Sequence, residues 1–144
     1  MQLLLADLKM ITRLPSADVL ANLKLLQTLR LSDCWALTSL DGIRSLRRLG
    51  NLLLIGCPCL DTETAVLPSS LRSILFESCA DVDVILAYAN LQHLSRLTIT
   101  RCRTALSRIS HSAELLKSAE VAYAQRHPCR RQLRTCSVMW KKGI

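Results

Sequence analysis

The sequence predicts an α/β solenoid: a curved parallel sheet of short strands with an irregular or short-helical convex side, followed by a C-terminal helix and a basic tail. The first observation behind this is repetition. LQTLRLSDC (Leu26–Cys34), LGNLLLIGC (Leu49–Cys57), LRSILFESC (Leu71–Cys79) and LSRLTITRC (Leu94–Cys102) share the frame L-x-x-[LI]-x-[LIF]-x-x-C, and their starts lie 23, 22 and 23 residues apart. The second is the apolar alternation inside each frame, which has the period of a strand with one face turned inward. The third is composition: half of the 144 residues are hydrophobic yet only five are aromatic, so one residue type, leucine, fills equivalent core positions. A frame L-x-x-L-x-L-x-x-N/C-x-L at 20–29 residues is that of leucine-rich repeats.

Each element follows from the frame. Upstream, Leu3 and Leu5 read as strand residues of a partial repeat, with Leu8 in the place of the cysteine and Ile11 and Leu14 after it. This first repeat begins mid-frame and no capping element precedes it, so the chain is expected to be the end piece of a longer array with an open N-terminal edge. The cysteine ends each frame because the chain bends sharply after the strand. A residue pointing into the stack there must be small, tolerant of burial and able to offer a weak S–H donor to loop carbonyls.

Between strands, SADVLANLKLL and WALTSLDGIRSLRRL space their leucines three and four apart, as short helical turns do, with Ser16 as an N-cap. ADVDVILAYANLQHL is compatible with about two turns of helix, whereas the two prolines of PCLDTETAVLPSS predict an irregular segment. After Arg103 the frame is expected to be lost. Leu115, Leu116, Ala119, Ala122 and Tyr123 fall at helical spacings, and Pro128 ends that predicted helix. The domain division is therefore repeats over 1–110, and a helix with a basic tail over 111–144.

Charge supports that division. Residues 1–100 carry nine Lys/Arg and nine Asp/Glu, so the net charge of +8 lies wholly in 101–144, where ten basic residues face only Glu114 and Glu120. The N-terminus has no basic region before a long apolar run and does not read as a signal peptide. No stretch approaches 18 apolar residues, so no membrane span is expected.

The sequence argues against catalysis, cofactors and metals. Cys57-Pro58-Cys59 and Cys129 with Cys136 lack C-x2-C spacing, and four of the seven cysteines already have a structural reason. His93, His111 and His127 stand singly, the His127/Cys129 pair is weak, and the scattered glycines form no phosphate loop. No enzyme is expected. Arg130, Arg131, Arg134, Lys141 and Lys142 could meet an acidic surface, but Trp140 alone offers stacking, so nucleic acid is not expected as a partner.

What remains is a protein-binding surface. The outward strand positions form columns: Thr28, Arg30, Ser32; Asn51, Leu53, Ile55; Ser73, Leu75, Glu77; Arg96, Thr98, Thr100. Leu53, Ile55 and Leu75 are apolar where water should be, and Arg30, Glu77, Arg96 and Thr98 surround them. An aliphatic centre with a charged rim is the composition of a protein contact.

The phrases LTSLDGIRSLRRLGNLLLIGCPCL, LPSSLRSILFESC and LQHLSRLTITRC carry a resemblance. With the C-P-x-L at Cys57–Leu60 and the L-P-S-S-L at Leu67–Leu71, residues 3–102 resemble the C-terminal leucine-rich repeats of plant nucleotide-binding leucine-rich-repeat disease-resistance proteins, especially those of grasses. The resemblance implies part of a cytoplasmic immune receptor. Its repeats would sense a pathogen effector or a modified host protein and restrain the receptor's own nucleotide-binding domain. No P-loop occurs in these residues, so no nucleotide site is carried over. The alternatives are the substrate-recognition repeats of an F-box ubiquitin-ligase subunit and a non-functional receptor fragment. The F-box repeats also end in cysteine, but continue C-x-x-[IL]-[TS]-D at a period near 26; here CPCLDTE and CADVDVI depart from that.

Overall fold

The computed structural model describes residues 1–60, 66–79, 92–102 and 120–124, the last as backbone. Six five-residue strands make one parallel sheet in sequence order: β1 Gln2–Ala6, β2 Thr28–Ser32, β3 Asn51–Ile55, β4 Ser73–Glu77, β5 Arg96–Thr100 and β6 Glu120–Ala124. Strictly parallel order with each strand beside its sequence neighbour makes the chain a repeat solenoid. Register is constant across the stack, Leu3, Leu29, Leu52, Ile74 and Leu97 lying side by side, as do Leu5, Leu31, Leu54, Phe76 and Ile99.

These two inward rows are the centre of the core. Leu31, Leu52, Leu54, Phe76, Leu97 and Ile99 are completely buried, and Leu26, Leu49, Leu71 and Leu94 close it at the strand entrances. Burying a leucine-sized side chain contributes about 1.5–3 kcal/mol, so repetition of the frame is itself the driving force.

Each strand is entered and left in the same way. At the entrance one carbonyl of the preceding turn accepts two N–H groups: Gln27 O from Gly50 and Asn51, Gly50 O from Arg72 and Ser73, Arg72 O from Ser95 and Arg96. At the exit the residue after the strand turns left-handed, at Asp7, Asp33, Gly56, Ser78 and Arg101, with φ between 52° and 64°. There the N–H of Asp33 donates to Ile55 O at 2.8 Å, that of Gly56 to Glu77 O at 2.8 Å, and that of Ser78 to Thr100 O at 2.9 Å. The sharp bend is therefore hydrogen-bonded from turn to turn. Only Gly56 occupies this conformation at no steric cost to a side chain.

Behind the sheet, helix among the described residues is limited to short turns. One α-helical turn, α1 (Ala17–Leu20), follows Ser16, whose side chain makes no capping bond although its carbonyl accepts from Leu20 N–H. Asp41–Ser45 forms a single 3-10 turn. The two pack so closely that a Cβ on Gly42 would overlap the Pro15 carbonyl oxygen. Thr38 N–H donates to Thr12 O and an isolated bridge pairs Arg13 with Ser39, so a second line of pairing joins these turns behind the sheet.

The C-terminal expectation needs correcting. Glu120–Ala124, placed within the predicted helix, is a strand paired along its whole length with β5, so the sheet runs past residue 110. The frame itself is lost, Ser118 and Arg126 standing where it has leucine and cysteine, yet strand pairing continues 24 residues after β5, with Val121 and Tyr123 at the register positions of Leu97 and Ile99. The open edge of β5 offers a row of backbone donors and acceptors, and strand pairing satisfies them where helical spacing would not. The helical turns expected over 80–94 lie, as far as residue 91, outside the described residues, as does the tail beyond 124.

Candidate protein-binding face

The outward face of the sheet is set by the alternation that builds the core. In β3 Leu52 and Leu54 are fully buried while Leu53 and Ile55 are half-buried, and β4 repeats this with Ile74 and Phe76 against Leu75 and Glu77. The constant register lays outward residues in rows across strands. One row runs Leu4, Arg30, Leu53, Leu75 and Thr98; the next runs Ala6, Ser32, Ile55, Glu77 and Thr100; Arg96 stands in a third, beside Ser73.

The seven residues selected from the sequence thus lie on one surface. Leu53, Leu75, Ile55 and Thr98 are half-buried by their neighbours, and Arg30 and Arg96 are exposed. Glu77 pairs with Arg101 at 2.8 Å. Arg30 Nε donates to Ser32 Oγ at 3.1 Å, and Asn51 Nδ2 to Thr28 Oγ1 at 3.1 Å, bonds that hold polar side chains along the rim. Leu4, 63% exposed, was not among the sequence-selected residues, yet it extends the middle row beyond Arg30. The signal for it was present, because Leu4 lies between the two inward leucines of the partial first repeat.

Behind the strand ends Cys34, Cys57, Cys79 and Cys102 form a buried ladder of free thiols. Each Sγ donates to the carbonyl two residues earlier, at 3.4 Å to Ser32, 3.7 Å to Ile55, 3.5 Å to Glu77 and 3.4 Å to Thr100. Cys79 also donates to Leu54 O at 3.4 Å, and its own N–H reaches the Cys102 sulfur at 3.4 Å. Bonding to the Cys102 and Cys57 thiols, and then burial, push the Cys79 thiol up. Burial likewise raises Cys34. Bonding to the Cys79 thiol draws Cys57 down, against its burial, and with no water at the fully buried Cys57 to hold a thiolate the thiols of the ladder stay protonated. The ladder is a structural element, as the sequence reading had it, while Cys59 is exposed to solvent.

A concavity of about 250 Å³ opens at the first turn, lined by Leu3, Leu5, Val19, Leu20 and Leu23 among other apolar side chains. It brings no polar groups together. Among the described residues no three His, Cys, Asp or Glu side chains gather as metal ligands, and no helix is long and apolar enough to cross a membrane.

Comparison with protein-family models, with curated proteins and with solved structures finds no significant match. The class defined by fold and surface together is a parallel repeat solenoid with a half-apolar outward face.

Proposed function

We propose that the chain is a leucine-rich-repeat, protein-binding module of a cytoplasmic plant immune receptor, taking a pathogen effector or a host protein on the outward face of its sheet. The observation that carries the binding part is the adjacency of Leu53 and Leu75 on neighbouring strands, with Ile55 beside them and charge on either side. Apolar side chains held in fixed register need little further ordering, and such rigid, central positions are where binding energy concentrates. The receptor part rests on the resemblance of residues 3–102 to disease-resistance repeats.

The test is the double change Leu53→Asp with Leu75→Asp, with the candidate effector or host protein as ligand. The fold should survive, because both side chains point away from the core, and the partner should lose on the order of 2 kcal/mol or more of affinity. Deleting residues 128–144 should leave affinity nearly unchanged. Loss of binding on tail deletion alone would move the contact to the basic tail.

A further inference from the structure

The middle outward row holds a charge that makes no ion pair among the described residues. Arg30 is flanked across the sheet by Leu4 and Leu53, with Leu75 one strand further on. Its Nε is tied to the hydroxyl of Ser32, itself only 7% exposed, which fixes the guanidinium while leaving both Nη groups without a partner among the described residues. The nearby acids do not serve it: Glu77 pairs with Arg101, Asp7 with Lys9, and Asp33, three residues on, makes no ion pair with it. A fixed, exposed guanidinium between leucines is built to accept a carboxylate on its two Nη groups while its neighbours take aliphatic groups.

The spacing of the row selects the shape of the partner. Neighbouring strands are about 4.8 Å apart, so Leu4 to Leu75 spans about 14 Å in three steps. A helix lying across the strands presents successive turns about 5.4 Å apart, or about 16 Å in three steps. An extended segment presents same-face side chains about 6.7 Å apart and overshoots to about 20 Å. The helix follows the row; the strand does not.

Building on the protein-binding reading above, we propose that this row takes an amphipathic helix of the partner. The helix carries apolar residues at i, i+7 and i+11, set against Leu4, Leu53 and Leu75, and an Asp or Glu at i+4 set against Arg30. The specificity of the face therefore lies in Arg30, and its leucines supply the adhesion.

The probe is a phage-displayed library of 16-residue helix-forming peptides randomised at positions i, i+4, i+7 and i+11, selected against the full chain. Selected sequences should carry Asp or Glu at i+4 and apolar residues at the other three positions. Exchanging that Glu for Gln in the synthetic peptide should weaken binding about tenfold to the wild-type chain, the size expected of a charge-assisted hydrogen-bonded pair. On an R30Q chain with an unchanged circular dichroism spectrum the same exchange should cost less than twofold. Peptides with no acidic preference that lose binding on the Leu53/Leu75 double Asp chain would overturn the carboxylate-bearing helix and leave the face as the contact. Peptides indifferent to both variants would remove the face itself. A selection yielding no enriched sequence would overturn the helix proposal.

Discussion

The first turn and the inner turns of the stack share a period, a register and a backbone hydrogen-bonding scheme, but not a core. β1 pairs with β2 over five residues just as β2 pairs with β3, and Asp7 N–H reaches Ser32 O at 3.0 Å as its counterparts do. Yet Leu3, Leu5 and Leu8 are only half-buried, whereas Leu29, Leu31 and Cys34 at the matching positions are at most 2% exposed. The frame by itself sets pairing. Burial comes from having a neighbour on both sides, so equivalent residues carry unequal energies along the stack.

The largest expected effect contrasts an inner rung of the cysteine ladder with the matching place in the first turn. Cys79→Arg forces an unpaired charge among the Cys57 and Cys102 thiols and should abolish cooperative unfolding in a urea titration followed by circular dichroism. Leu8→Arg, at the equivalent half-buried place in the first turn, should cost about 1 kcal/mol, because its charge reaches water. Equal damage from both would show that the first turn is as enclosed as the fourth.

Cavity formation sharpens the comparison at smaller scale. Leu54→Ala, in the fully buried row, should lower stability by about 3 kcal/mol, within the range for interior leucines. Leu5→Ala in the same row should cost about 1 kcal/mol, since a half-open site lets water fill the space left. The ratio of the two losses, read from the denaturation midpoints, measures how much of the core is made by neighbours.

The smallest effects are those of the left-handed residues, which should not distinguish the turns. Gly56→Ala should destabilise by about 1 kcal/mol, its Cβ also crowding the Asp33 carboxylate. Ser78→Gly relieves the same strain and should gain about 0.5 kcal/mol after the chain entropy of glycine is counted. A loss on Ser78→Gly would show that its hydroxyl, not its backbone angle, decides that turn.

What the sequence determined by itself was periodic. Four frames with alternating apolar residues specify which side of each strand is inward, because a slip by one residue would turn Leu52 and Leu54 out to water and Leu53 and Ile55 in. The inward and outward columns and the places of Cys34, Cys57, Cys79 and Cys102 were therefore legible. The tertiary structure decided what depends on neighbours far apart in the chain. Helical spacing in 115–123 lost, over its last residues, to a strand at Glu120–Ala124, because the β5 edge presents backbone groups that a strand satisfies. Leu4 joined Arg30, Leu53 and Leu75 in one row only once β1 was laid against β2 in register. Local pattern chooses which way a side chain faces; which side chains then stand together, and how deeply each is buried, is settled by stacking.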